Sequence, residues 1–498
     1  MPFTPVILWT DALIFLLVFL TSIFIWYVRD NEHLLAPWRR VGHSASGMSA
    51  LTVLLFFIIV GLLDTLHFRP ALEHKNIHGE TVYSVEVLSV LDLLLTPLRT
   101  HVEKTYSAPL ATHLYTKETF ELPDGNQIRA FARLEFGGSH LIDPDSEHQS
   151  DINNRIVKGI GLGLFFWIIL HAILCLIMAR RTKQRFTVCF QSIWRRTTEI
   201  PWHAILITLA IILALSGMVF MLATHYHVLG TDKVGQDILY LSLKSIRVAL
   251  IIGTLTTLIM LPFALLLGIT AGYFRGWIDD IIQYIYTTLN SIPSVLLIAA
   301  TILMMQVYIE THTESFETTA ARADVRLLCL CLILGITSWT SLCRLLRGET
   351  LKLREMEYIQ AAHAFGVSHW RIISRHILPN VMYIVLIATV MDFSGLVLAE
   401  AVLSYVGVGV DPSMISFGTM INAARLEMAR EPMVWWTLLS AFSFMFILVL
   451  SANLFADAVQ KALDPRIKTY AQNRNSTQNN NSAHIPAPSP ANKPVQHP

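Results

Sequence analysis

Charge is scarce in this chain. Asp, Glu, Lys and Arg make up 15% of its 498 residues, against about 25% in soluble domains. With 53% hydrophobic residues, it reads as an integral membrane protein rather than one surrounded by water. The charges nearly cancel, leaving a net +1, so no bulk field draws the chain to nucleic acid. Cysteine is scarce too. Cys175, Cys189, Cys329, Cys331 and Cys343 lie in or beside apolar runs, are odd in number and contain no C-x-x-C. Neither a disulfide framework nor a zinc site is indicated, and they read as small buried hydrophobes. A complete nucleotide-binding motif is also missing. Gly230 to Gly235 has G-x-x-x-x-G spacing, but Gln236 and Asp237 stand where Lys and then Ser or Thr must reach phosphate and magnesium. No Ser-His-Asp or Cys-His arrangement shows the local signature of a hydrolase. The chain therefore reads as no enzyme, with no cofactor and no metal of its own.

What the sequence does contain is long apolar runs. Nine are long enough for a bilayer, which takes about 20 residues as a helix: 6–28, 48–66, 156–179, 202–223, 245–271, 285–309, 325–347, 380–403 and 433–455. Lipid cannot satisfy the backbone of an open sheet, so the expected fold is all-α and polytopic. Arg29, Arg39 and Arg40, then RRTKQR at 180–185 with Arg195 and Arg196, place those loops in the cytosol by charge bias. The N-terminus and residues 67–155 then fall outside, and the C-terminus inside. The first run lacks a basic leader and an A-x-A site, so it is expected to be a retained helix. Three regions emerge. Residues 1–200 hold three spans and a polar insertion, 201–470 hold six spans, and the Asn-, Ser- and Pro-rich 471–498 are expected to be disordered.

Within the insertion, 86–99 has an apolar helical face broken by Pro97, suited to the outer membrane surface or to a small core. Residues 120–136 read as two strands around Asp124-Gly125. Glu73, His74 and His78 have a spacing that can bind metal on a helix, although Asn76 and Gly79 argue against one. Asp392 lies near the middle of the eighth run. An ionised carboxylate there costs about 2.5–3.5 kcal/mol, and each Leu, Ile or Val returns only about 0.3–0.6. It should face protein or a wet path, either as a pore-lining group or as a structural hydrogen bond. Glu400, near the outer end of that run, reads as structural.

The segment Tyr358 to Asn380 is polar and amphipathic, between two apolar runs. Tyr358, Ala361, Ala362 and Phe365 share one face of a helix. Gly366 follows where a left-handed C-terminal residue belongs, Ser368 can cap a second short helix, and Pro379 starts the next span after Leu378. Two short helices joined at a glycine under a membrane, in a loop of about 346–379 expected in the cytosol, form a docking element for a soluble protein. The spacing of Ala361-Ala362, Gly366 and Ile377-Leu378-Pro379 resembles the EAA loop of ABC importer permeases, with Gln360 where that family usually has Glu. His227-Val-Leu-Gly-Thr-Asp232 through Asp237, AGYFRGWIDD at 271–280, Ile292-Pro293-Ser294, RLLRGETLKLREMEYIQAA at 344–362, EAVLSYVGVGV at 400–410 and ALDPR at 462–466 are similar to the C-type dipeptide/oligopeptide permeases. Val228 and Gln236 depart from that pattern.

The resemblance covers about 200–468. It implies the six-helix core of a type I ABC importer permease, here with three additional N-terminal spans, in a bacterial cytoplasmic membrane. It also implies a second permease subunit, two cytosolic ATPases that hydrolyse the ATP, and an extracytoplasmic solute-binding protein. Peptide import is the expected activity. Import of nickel or another small solute is an alternative on the same architecture, and a membrane sensor or scaffold is an alternative of another class.

Overall fold

The computed structural model describes residues 3–75, 81–121, 127–312 and 318–463. The chain opens with a strand, β1 (Phe3–Val6), that takes Val6 from the expected first span, which is α1 (Trp9–Arg29). An unforeseen amphipathic helix, α2 (Glu32–His43), leads to α3 (Ala45–Thr65), whose first turn is capped when Ser44 accepts the Gly47 N–H. The insertion begins with β2 (His67–Lys75), β3 (Thr81–Tyr83) and β4 (Leu88–Ser89). β2 pairs antiparallel with β1, β3 and β4, tying the N-terminus to the insertion.

The single helical face expected over 86–99 is instead β4 followed by α4 (Val90–Leu94) and α5 (Thr96–Thr100). Ser89 and Asp92 form a reciprocal capping box, which starts a helix there, and Pro97 sits in the first turn of α5. The expected hairpin is present as β5 (His113–Glu121) and β6 (Gln127–Arg133), with β5 longer than foreseen. Its Asp124-Gly125 turn lies outside the described residues. So does His78, and the side chains of Glu73 and His74 are likewise not described.

α6 (Pro144–Thr182) has 39 residues, roughly 58 Å at 1.5 Å per residue, so it projects well beyond a hydrocarbon core of about 30 Å. It is followed by α7 (Phe186–Trp194) and α8 (Trp202–Ala223). A Cβ on Gly159 or Gly163 would lie under 3 Å from the α8 backbone. Only glycine permits that approach, the small-residue packing common between membrane helices. The chief neighbours of α8 are α6 and α3.

The remaining elements are α9 (Ile238–Phe274), α10 (Trp277–Ser291), α11 (Ser294–Thr311), α12 (Thr319–Arg354), α13 (Glu357–Ala364), α14 (His369–Ile372), α15 (Leu378–Tyr405), α16 (Phe417–Glu427) and α17 (Trp436–Leu463). The run expected as one span over 285–309 is broken. Pro293 lacks an N–H, and Ile292 before it is extended, so the amphipathic α10 ends there and the span is α11 alone. α16 was not expected. It starts at a Ser416–Thr419 capping box.

Among the described residues, nine helices are long and apolar enough to cross a membrane, matching the nine apolar runs. α9 and α12 form the most extensive helix pair. Phe57 and Val60 of α3 share one core cluster with α9, α15, α16 and α17, so the N-terminal spans belong to the same packed body.

Candidate functional site

At one end of the bundle the chain makes an elbow from Met356 to Pro379. α13 lies on the bundle through Ile359, which is 2% exposed. Ile372 and Ile377 anchor the far side, both fully buried. The face foreseen from periodicity is mostly uncovered. Phe365 is 86% exposed, and Tyr358 and Ala361 are exposed as well, whereas Ala362 is half-buried against the core. Trp370 on α14 is 73% exposed as well. Gly366 has φ +72° with open space around its Cα, the left-handed helix end that its position implied.

Ser368 stands at the N-cap of α14, but its side chain makes no cap bond. The second short helix does not end before the span. It passes through a π-helical turn, Ile373–Ile377, straight into α15, with Leu378 and Pro379 in that helix's first turn. The second half of the elbow and the span are therefore one continuous helical rod from His369 to Tyr405.

Three contacts fasten the long helices beside the elbow, and one of them, from Tyr273 to His369, reaches the elbow itself. Arg347 of α12 donates both Nε and Nη2 to Asp279 of α10, at 2.6 and 2.7 Å, a bidentate charge-assisted pair. The Tyr273 hydroxyl lies 2.8 Å from His369 Nδ1, and Arg354 donates to the Tyr273 carbonyl at 2.7 Å. Glu355 pairs with Arg275 and accepts from Gln360 Nε2. An amide at 360 can donate to Glu355, where a second carboxylate would repel it. The motifs at 271–280 and 344–362 thus meet at this one corner.

Asp392 sits on α15, half-buried. Among the described residues no hydrogen bond or ion pair reaches it, while its neighbour Ser394 bonds Asn453 at 2.7 Å. Glu400 is buried and accepts from Ser404 and Ser416 at 2.7 and 2.9 Å, which is the structural role expected of it.

Sequence reasoning missed a set of buried ion pairs that fix the N-terminal spans. Arg247 of α9 donates to Asp11 of α1 at 2.7 Å, and Asp11 also meets His67 Nδ1 at 2.8 Å. Thr10 bonds Asp324 of α12 through both its N–H and its hydroxyl. Lys244 bridges Asp64 of α3 at 2.8 Å and Asp92 of α4 at 3.0 Å. Charges inside apolar runs were the available signal, and the rule that singled out Asp392 would have found these.

Residues 264–469 match the family described as binding-protein-dependent transport system inner membrane component. The oligopeptide transport system permease protein OppC of Mycobacterium bovis is 33% identical over 239 residues, 48% of this chain and 76% of that protein. The chain belongs to the dipeptide/oligopeptide ABC transporter permease family. The glutathione transport system permease protein GsiD of Pectobacterium atrosepticum is 32% identical over 243 residues, 49% of this chain and 74% of that one. Among solved structures, the inward-facing MetNI methionine ABC transporter covers 46% of this chain and 98% of its own, with 17% identity and a TM-score of 0.35.

In this permease the insertion clasps the loop between α8 and α9. His227, buried, donates from Nδ1 to Asp237 at 2.8 Å, and its Nε2 lies 3.4 Å from Glu103 Oε1. Glu103 in turn accepts the backbone N–H groups of Glu135, Phe136 and Gly137. Trp436 donates to the Thr231 carbonyl at 3.0 Å, closing the clasp on α17. Burial opposes the His227 charge, but Asp237 and Glu103 outweigh it and push its pKa up to about 9 from 6.5. Burial likewise opposes ionisation of Glu103, yet His227 and the three N–H groups hold its carboxyl down at about 2, against 4.5.

The pH dependence follows by linkage. The raised His227 value contributes stability that is complete below 6.5 and lost as pH rises through 9. The lowered Glu103 value contributes stability that is complete above 4.5 and lost as pH falls through 2. The contribution of this clasp to thermal stability of the purified permease should therefore be greatest between 4.5 and 6.5 and decline on both sides. His227→Asn should remove the alkaline decline. An unaltered alkaline limb in that variant would show that this clasp does not titrate as described.

Proposed function

We propose that this chain is one of two related permease subunits that form the membrane path of a bacterial importer of di- or oligopeptides. Two cytosolic ATPases would seat on the elbow, and an extracytoplasmic binding protein would deliver the solute to the opposite face. The observation that carries the reading is the uncovered surface of Tyr358, Ala361, Phe365 and Trp370. Single exposed apolar residues are ordinary, but several exposed aromatics on one short polar-rimmed elbow mark an interaction site. In this reading the elbow and C-terminus are cytosolic and the insertion and N-terminus lie outside, as the Lys and Arg distribution favours.

Mechanically, closure of the ATPases on bound ATP would displace α13 and α14. The π turn carries that displacement into α15, and the Arg347–Asp279 and Tyr273–His369 contacts carry it into α12, α10 and α9. Asp392 stands 14 residues beyond Leu378, roughly 21 Å along α15. With no hydrogen bond or ion pair among the described residues, it would face the second subunit or the wet path. ATP is bound by the partners alone, and this chain needs no cofactor. An equilibrium between inward- and outward-facing states shifts only as far as the ATPases and solute prefer one of them.

Loss of this chain from its host should abolish ATP-dependent uptake of radiolabelled di- and tripeptides, and re-expression should restore it. Undiminished peptide uptake without the chain would sink the reading.

A further inference from the structure

A second polar feature lies at the far end of α12 from the elbow. Arg326 and Arg354 are 28 residues apart, roughly 42 Å along the helix, which exceeds the hydrocarbon thickness of about 30 Å. There α11, α12 and the loop from α15 to α16 enclose a cavity of about 370 Å³, within the range of about 300–1,000 Å³ typical of small-molecule sites.

Its walls carry two cations and two carboxylates: Arg322, Arg326, Glu310 and Asp411. One pair is already committed. Arg326, 8% exposed, reaches Asp411 at 3.4 Å and donates to Gln306 at 3.3 Å. Asp411 is further held by the Ser413 hydroxyl and N–H, at 2.7 and 2.9 Å. Burial opposes its charge, but Ser413, Arg326 and Arg322 keep its carboxyl below the usual value. The Arg326 Nε remains buried without a partner.

The other pair is less engaged among the described residues. Among the described residues the Arg322 guanidinium has no hydrogen bond or ion pair. Among those residues Glu310 accepts only from Gln306, through Oε1 at 3.1 Å, and none of them reaches its Oε2. The four charges sum to zero. A simple anion would meet Glu310, and a simple cation would meet Arg322. A ligand with both charges satisfies both groups at once.

We propose that this cavity binds a zwitterionic short peptide, its terminal carboxylate on Arg322 and its terminal ammonium on Glu310. The proposal rests on the peptide-import reading and adds a site within the permease itself. Specificity then lies in the free termini, which every unmodified peptide carries, while side chains remain unread. Such a site would receive the solute on the face opposite the ATPases, ahead of the Asp392 level of α15.

The test uses the permease with its partner subunits in nanodiscs of phosphatidylglycerol, whose headgroup carries no ammonium, and no binding protein. Saturation-transfer NMR or calorimetry would measure binding of Ala-Ala, N-acetyl-Ala-Ala and Ala-Ala amide. The wild type should prefer Ala-Ala over either blocked form by about tenfold or more. Arg322→Gln should erase the preference over the amide and keep the preference over the acetylated form. Glu310→Gln should do the reverse. A merely structural role would weaken all three ligands alike and leave the ratios standing. Equal binding of the three forms by the wild type, no binding at all, or variants that keep both preferences would overturn the site. If intact cells still import peptides in any of those cases, the import reading stands and only this inference fails. Failure of wild-type cells to import peptides would remove the import reading itself.

Discussion

Gly366→Val and Ala361→Trp should each yield membrane protein at normal levels that loses its ATPases on purification and supports no peptide uptake. At 366 the obstacle is backbone strain rather than crowding. The residue has φ +72° and an added Cβ would touch nothing within 4 Å. A β-branched residue there incurs roughly 1–2 kcal/mol or more, and the chain can relieve that by redirecting α14 and with it Trp370. At 361 the side chain points away from the bundle, so Trp would stand between the elbow and any partner without disturbing the fold. Ala362 is the poorer probe for this purpose, because it packs on the core and a large residue would pry α13 loose.

Phe365→Ala complements these two variants. An aromatic anchor at the centre of an interface typically contributes about 2 kcal/mol or more, about thirtyfold in affinity. Wild-type ATPase retention and uptake in Gly366→Val, Ala361→Trp and Phe365→Ala together would mean that the elbow is not where energy enters this permease.

Asp11→Leu should destabilise the whole protein by about 3–5 kcal/mol, toward the lower end of that range. The substitution leaves Arg247 buried without its carboxylate, and breaking a buried pair by removing one partner has that magnitude. Asp324, 4.0 Å from Arg247 Nη2, compensates in part, and His67 loses its contact as well. Adding Arg247→Met should recover most of the loss, since an apolar pair of similar volume replaces a buried ion pair at little penalty. Thermal unfolding in detergent would read the cycle. A single variant as stable as wild type, or a double variant less stable than the single, would contradict this account. The expected recovery separates a role in stability from one in transport. The double variant should be well folded, and its uptake would report whether α1 merely anchors to α9 or takes part in the cycle.

The nine spans were legible because crossing a bilayer is a length requirement, met by about 20 apolar residues in sequence. The elbow was legible for a similar reason. A glycine at a helix end and a proline at the start of the next helix act through their own backbone geometry, and Gly366 and Pro379 stand where that geometry requires. Even the break at Pro293 was within reach, since it follows from a missing N–H. Periodicity placed Tyr358, Ala361, Ala362 and Phe365 together, but could not say which side of α13 the bundle covers. Ile359 took that role, and the foreseen face stayed largely open.

What only the tertiary structure decided is which distant charges meet. Asp11 and Arg247 are 236 residues apart, and Glu103 and His227 come from the insertion and from the loop it clasps. The cavity with Arg322 and Glu310 needs three separate segments. In an apolar run a lone charge declares that it faces protein or water, because lipid will not solvate it. What it faces depends on where the other helices pack, and this is set by side-chain fit across the whole bundle rather than by any local run of residues.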